Sequence, residues 1–360
     1  MHVVVLGSSR HPIAEPFAGG LESLTWHLVR GLRDRGVDVT FFAGPGSDPA
    51  LGATELDVTP LRLSDTARAD VSMVPEAWLR EHHAYLQVML ALQRRDDIDV
   101  VHNNSLHHLP VAMAHSLSAP VLTTLHTPPT PWLEPAIAID ARSRNVARRG
   151  HYVAVSQHTA RSWSHVASAD VVHNGVDVRR WVAGPGGDDL VWVGRIVPEK
   201  APHRAVAIAR AAGRRLRIAG PVGDAAYFAR HVAGELDDDI SYVGHLDTEG
   251  LVSLVGSSAA TLVTPEWDEP YGLVAAESLA CGTPVVALDR GGLREFVVPG
   301  VGVLVPQGAG DDEAAEAVAR AVGLDRDACR EHAVAACSVD RMVEAYLDVY
   351  RSLAELAGAA

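Results

Sequence analysis

At 360 residues the chain is long for one domain and comfortable for two, and 48% hydrophobic against 21% charged residues supports well-buried cores. A formal charge of −14 argues against a broad nucleic-acid surface, which is basic, and disfavours non-specific attachment to anionic membranes. Cys281, Cys329 and Cys337 give neither a metal-site spacing nor a disulfide framework, and fit a reducing compartment. The apolar run from Met1 to Leu6 is too short for a signal peptide and lacks its basic start. No stretch approaches a membrane span, so a soluble, cytoplasmic protein is expected.

Apolar runs alternate with amphipathic stretches, the mark of βα units and parallel sheets. In the first half, 2–6, 39–43, 100–102, 121–125 and 152–155 read as strands. Residues 20–36 carry Leu21, Leu24, Leu28 and Leu32 on a helical period, and 71–94 reads as helical with a break near Pro75. The Gly/Pro/Asp stretch 183–189 reads as a linker. Strands follow at 190–193, 217–219, 241–243, 260–263 and 285–287, and a tail helix at 341–357 places Met342, Tyr346, Val349 and Leu353 on one face. The expected organisation is α/β, with an N-terminal Rossmann-like domain 1–182, the linker, a C-terminal Rossmann-like domain 190–340 and a C-terminal helix 341–360. Two such domains facing a central cleft would take a ligand at the carboxyl ends of their strands.

Several segments could carry chemistry there. Gly19 and Gly20, between the first strand and first helix, let backbone approach a phosphate at a helix N-terminus. They are no dinucleotide fingerprint, since Gly-x-Gly-x-x-Gly fails there and after the first strand, which weakens a nicotinamide oxidoreductase. His126 ends a strand before a proline-rich loop; His102, His107 and His108 read as surface or acceptor-side residues without a second metal-ligand set. The run Arg142, Arg144, Arg148, Arg149 reads as a solvated helix face that could instead meet a phosphorylated or lipid acceptor. In Val193-Gly194-Arg195-Ile-Val-Pro-Glu-Lys200, a guanidinium and an ammonium across a turn can clamp a diphosphate and neutralise a leaving group. Asp237-Asp238-Asp239 and Asp97-Ile98-Asp99 read as solvated loops rather than cation sites. The richest stretch is Glu269-Pro-Tyr-Gly-Leu-Val-Ala-Ala-Glu277, continuing Ser-Leu-Ala-Cys-Gly-Thr-Pro. Two carboxylates bracket the start of a short helix near Gly272 that Gly282 and Pro284 stop. A ligand with phosphate at one end and hydroxyls at the other, such as a nucleotide sugar, suits it.

On these segments the chain resembles, over nearly its whole length, the retaining nucleotide-sugar-dependent glycosyltransferases of family four, which have the GT-B fold. The resemblance implies that the C-terminal helix packs back on the N-domain. It implies that Glu277 holds the ribose hydroxyls and Glu269 those of the donor sugar. Backbone N–H groups near Tyr271, Gly272 and Leu273 would meet sugar and diphosphate. Gly194, Arg195 and Lys200 would hold the diphosphate, Gly19 and Gly20 would border it, and His126 would touch the donor sugar. Ser156 and Asn174 match family positions at the cleft, though Asn174-Gly175 could simply be a turn, and Val243, Gly244, His245 and Leu246 would line the base pocket. Ala201 departs from the pattern, which more often has Gly after the Lys.

The implied activity is metal-independent transfer of a hexose-type sugar from a nucleoside-diphosphate sugar, UDP being the commoner choice, to an acceptor hydroxyl with retention. No cofactor and no metal are expected, the nucleotide sugar being a co-substrate, and no nucleic acid is expected as partner. Alternatives on the same scaffold are a nucleotide-sugar epimerase, a phosphorylase or a non-catalytic nucleotide-sugar-binding protein. A small or soluble acceptor is expected, selected by 10–17, 66–77 and 127–139, with Trp78, Trp132 and Trp163 either stacking on it or packing.

Overall fold

The structure is a computed structural model and describes residues 1–56, 59–142 and 149–358. It divides into two compact units: Met1–Val155, Thr159–Val172 and Val343–Ala360 in the first, Ser156–His158 and His173–Met342 in the second.

The first unit is built on a parallel sheet of β1 (His2–Leu6), β2 (Asp38–Ala43), β3 (Thr54–Glu55), β4 (Val100–Asn103), β5 (Val121–Leu125), β6 (His151–Ala154) and β7 (Asp170–Val171). Its order is β3-β2-β1-β4-β5-β6-β7, which reverses direction at β1 as in a Rossmann sheet. The second unit has β8 (Leu190–Val193), β9 (Leu216–Ala219), β10 (Ile240–Gly244), β11 (Ala260–Val263), β12 (Val285–Leu288) and β13 (Gly302–Val305), in the order β10-β9-β8-β11-β12-β13. Every pairing in both sheets is parallel. Strands covered on both faces by helices have no polar face to show, which is why Val3 to Leu6 and Val121 to Leu125 are buried throughout.

In the first unit the helix Gly20–Asp34 buries Leu24, Leu28 and Leu32, while Leu21 is only partly covered. The C-terminal helix, Val339–Gly358, belongs to this unit from Val343 on. A Cβ on Gly31 would sit 2.7 Å from Val343 Cγ2, so a side chain at 31 would push the two helices apart. Met342, Tyr346 and Leu353 are buried as expected, but Tyr350 is fully buried where Val349 is only partly so. Tyr350 hydrogen-bonds His102 Nδ1 at 2.6 Å, and His102 Nε2 meets Thr124 Oγ1 at 2.8 Å. His102 is therefore a core residue holding the last helix to β4 and β5, not a surface or acceptor-side histidine.

Other differences have local causes. The helix expected over 71–94 is Glu76–Leu92, because Pro75 is its N-cap and Asp70 turns the preceding chain through Ser72. Half of the expected loop 127–139 is the helix Leu133–Asp140. The compact division falls at 172/173, ahead of the 183–189 stretch. There Val176 bridges to Ser338, and a Cβ on Gly175 would lie 2.6 Å from Val339 Cα. Arg144 and Arg148 of the basic run lie outside the described residues; Arg142 is exposed. Among the described residues, no helix is long and apolar enough to cross a membrane.

Candidate active site

In the second unit the expected residues gather at the carboxyl ends of β8 to β11. Gly194, after β8, donates to Ala219, and Gly220, after β9, donates to Gly244 at the end of β10. A Cβ on Gly220, whose φ is +134°, would fall 2.0 Å from the Gly194 carbonyl oxygen, so only bare backbone passes there. Gly244 is left-handed at φ +89° with open space beside it; Val243 and Leu246 are partly buried and His245 is exposed.

The loop after β8 is locked to the loop after β11. Trp192 Nε1 donates to Thr264 Oγ1 at 3.1 Å, and that hydroxyl reaches the carbonyls of Ala201 at 3.0 Å and Lys200 at 3.3 Å. Glu266 N–H donates to the Glu199 carbonyl at 2.9 Å. These bonds bring Lys200 Nζ to 2.6 Å from Glu269 Oε2, with side-chain exposures of 25% and 12%. Trp267 Nε1 reaches the same oxygen at 3.1 Å, and the ammonium stands 5.1 Å from the indole centre. Arg195 is exposed and has no ion-pair partner among the described residues. Ala201 takes a left-handed φ of 46°, the conformation glycine adopts freely, at the position where the resemblance leads one to expect glycine.

Glu269 is also fixed through its backbone. Gly292 N–H donates to the Glu269 carbonyl at 2.7 Å, and a Cβ on Gly291, at φ +66°, would overlap that carbonyl. Gly272, at φ +101°, is the N-cap of the helix Leu273–Ala280, and no side chain caps its first turn. Tyr271 is buried with its ring stacked on Phe296 at 4.7 Å, and burial raises its hydroxyl well above the ordinary range. Glu277, one turn into the helix, is partly buried, and its carboxyl group makes no hydrogen bond or ion pair among the described residues. Burial pushes its carboxyl up to about 7. Ser156 is buried beside Gly292, and Asn174 is buried with Oδ1 unpartnered among the described residues.

Glu295 has no counterpart in the sequence reading. It accepts from the N–H groups of Gln157 and His158, each at 2.8 Å, and pairs with His173 Nε2 at 2.8 Å. Burial alone would raise its carboxyl, but these partners hold it below the usual range. Nothing local marks a contact made across 138 positions.

In the first unit Gly19 is the extended N-cap of the helix Gly20–Asp34, whose first turn carries Glu22. His126 follows β5, is buried, and meets Asn104 Oδ1 at 3.1 Å; burial pushes it down to about 3, so it is neutral. Asn104 Nδ2 is buried without a partner among the described residues. Trp163 is a core residue donating to the Thr127 carbonyl, whereas Trp132 is 50% exposed and lies 6.2 Å from Trp78. Asp237, Asp238 and Asp239 are exposed, and Asp237 accepts from Ile240 N–H and pairs with Arg210, as a solvated turn does.

Residues 18–180 match the family described as Glycosyltransferase Family 4, and residues 179–333 match Glycosyl transferases group 1. The chain belongs to glycosyltransferase family four. This glycosyltransferase is 28% identical over 322 residues to a glycogen synthase of Mycobacterium tuberculosis, covering 78% of this chain and 77% of the relative. It is 28% identical over 388 residues to a D-inositol 3-phosphate glycosyltransferase of Nocardia farcinica, covering 91% and 83%. Its fold matches the crystal structure of Anabaena HepE in complex with UDP and glucose, with a TM-score of 0.73 at 17% identity over 98% of this chain and 100% of that one. The fold is GT-B, with two Rossmann-like domains.

Proposed function

We propose that this glycosyltransferase moves a hexose-type sugar from a nucleoside-diphosphate sugar, UDP foremost, to an acceptor hydroxyl, with retention and without a catalytic metal. The observation that carries the reading is the Lys200–Glu269 pair beside the uncapped helix at Gly272, with the Glu277 carboxylate, unpartnered among the described residues, one turn on. Glu277 offers acceptor oxygens for ribose hydroxyls, and Glu269 Oε1 is available for a sugar hydroxyl, since Oε2 already accepts from Lys200 and Trp267. Arg195 and the remaining ammonium hydrogens of Lys200 supply positive charge to the departing diphosphate, as does the N-terminus of the helix Leu273–Ala280. Gly194, Tyr271, Gly272 and Leu273 offer backbone to the diphosphate, and Val243 to Leu246 to the base. Gly19, Gly20 and the neutral His126 are assigned to diphosphate and sugar, and Ser156 and Asn174 to the same donor. A Mycobacterium tuberculosis relative is a glycogen synthase and HepE was crystallised with UDP and glucose, which favours a UDP-hexose donor. The acceptor is proposed to be soluble and the location cytoplasmic.

Binding and slow hydrolysis of UDP-, GDP-, ADP- and TDP-sugars, measured in chelator, test this reading. Selective binding by the wild type is expected, with donor consumption lost in Glu277→Ala and Arg195→Ala. Binding of none of the panel, or consumption only after a divalent cation is added, refutes the donor assignment or its metal independence respectively.

A further inference from the structure

Three imidazoles meet in the first unit, and none of them is assigned to the donor. His82 projects from the helix Glu76–Leu92, and His107 and His108 come from the turn between β4 and the short helix Leu109–Ala112. One ring nitrogen of each lies within 4.8 Å of the other two. Ring centres are 5.7 Å apart for His82 and His107, 5.6 Å for His82 and His108, and 4.5 Å for His107 and His108. Three imidazoles on one tetrahedral ion, at metal–nitrogen distances of about 2.0–2.1 Å, place their ring centres roughly 5 Å apart. The three spacings bracket that value, so the cluster has the ring spacing of a ligand set.

A second observation is independent of that spacing. His82 Nδ1 is buried and has no hydrogen-bond partner among the described residues, a condition that costs about 1–3 kcal/mol and that coordination by an ion would relieve. Its ring is held by Trp78, stacked at 5.1 Å and 11°. His107 is buried and stacked on Tyr85 at 4.5 Å, and Tyr85 is anchored by its hydroxyl to the Gly7 carbonyl at 2.8 Å. The nearby charge is balanced, since Arg10 pairs with Glu81 at 3.1 Å.

We propose that His82, His107 and His108 form a site for a divalent transition ion of the zinc class, with the fourth position open to water. Three nitrogen donors without a carboxylate select against magnesium and calcium, which take oxygen ligands. One local bond opposes the ion. His107 Nδ1 accepts the Leu109 N–H at 3.2 Å, and that contact is lost whichever ring nitrogen ligates: Nδ1 would turn its lone pair to the metal, or would carry the proton displaced from Nε2. A bond this long contributes little, about 1 kcal/mol or less, against the much larger free energy of zinc coordination. The ion would tie the helix Glu76–Leu92 to the turn after β4.

The test uses the untagged full chain, stripped with chelator and dialysed, because 18 histidines and any affinity tag offer weak competing sites. Titration with Co2+ followed by visible absorbance, and with Zn2+ followed by calorimetry, should give one saturable tight equivalent, the intense d–d bands of a tetrahedral site and a raised melting temperature. His82→Ala and His108→Ala, both at partly exposed positions, should weaken that equivalent by about 100-fold or more, beyond the loss typical of an outer-shell change. Their circular dichroism should be unchanged, and His231→Ala, at an exposed position, should bind like the wild type. Absence of a saturable equivalent in the wild type, or equal affinity in His82→Ala, overturns the proposal and leaves the cluster an aromatic–imidazole stack. Neither outcome bears on donor binding, which is read separately in chelator.

Discussion

Lys200 Nζ donates to Glu269 Oε2 at 2.6 Å, and Trp267 Nε1 donates to the same oxygen at 3.1 Å, so one corner of the carboxylate carries both contacts. The two residues stand 69 positions apart and end two loops that Thr264 and Glu266 stitch together. The pair thus aims a positive charge and a free carboxylate oxygen from one rigid seat.

Residues in direct contact are not expected to act independently. Lys200→Ala should lower donor turnover by about 100- to 1,000-fold, the range for removing one preorganised group that stabilises a developing charge. Glu269→Ala should also lower it, and the double variant should lose less than the sum, by about 1 kcal/mol or more of coupling. The cycle is measured as kcat/KM for donor consumption. Strict additivity would mean that the pair does not function as a unit.

Ala201 gives a backbone prediction. Its φ of 46° is strained for any residue with a Cβ, by about 1–2 kcal/mol. Ala201→Gly should therefore leave the melting temperature equal to the wild type or raise it. Ala205→Gly, equally buried but inside the helix Pro202–Ala211, should lower stability by about 1 kcal/mol or more. Both changes remove one buried methyl, so their difference isolates the conformational term.

The strands beginning at His2, Val121, Leu190 and Ala260 were legible because a strand buried on both faces is a continuous apolar run closed by turn residues. The helix after Gly272 was legible for a similar reason, its ends being marked by Gly272, Gly282 and Pro284. Strands β3 and β7 were not, since two residues show no periodicity. Contacts set by tertiary structure left no local trace. Glu295 reaches the N–H groups of Gln157 and His158, and Gly175 packs against Val339. His82 meets His107 only once β4 lies beside the helix Glu76–Leu92, and nothing in the local sequence marks that meeting.

Acid should destabilise the first unit through its core histidines. Burial, and then the neighbouring His126, hold His102 at about 3, and burial holds His126 at about 3. In the unfolded chain each takes up a proton near pH 6.5, but in the folded chain neither does until about pH 3. Stability is therefore full above 6.5 and falls as pH drops toward 3, by about 1.4 kcal/mol per pH unit for each residue. Urea midpoints between pH 7 and 5 should show this, and His102→Gln should be less stable at pH 7 yet lose about one proton's worth of slope. An unchanged slope would remove His102 from the groups that make the fold acid-sensitive.

Glu277 contributes to stability with the opposite sign and also links pH to ligand binding. Its carboxyl titrates at about 7 in the folded chain because burial penalises the charge, against an ordinary value of 4.5. Between these values the folded state holds a proton that the unfolded state has released, so without ligand its contribution to stability declines as pH rises from 4.5 through 7. Ribose hydroxyls donating to the carboxylate would favour the ionised form and lower that value in the complex. Nucleotide binding at pH 7 should then release roughly half a proton, and affinity should rise from pH 6 to a plateau above 8. Calorimetry in buffers of different ionisation enthalpy measures the release directly. Glu277→Gln, which cannot ionise, should bind more weakly, release no proton and show a flat profile. Equal proton release in wild type and variant would place the titrating group elsewhere and remove Glu277 from the ribose.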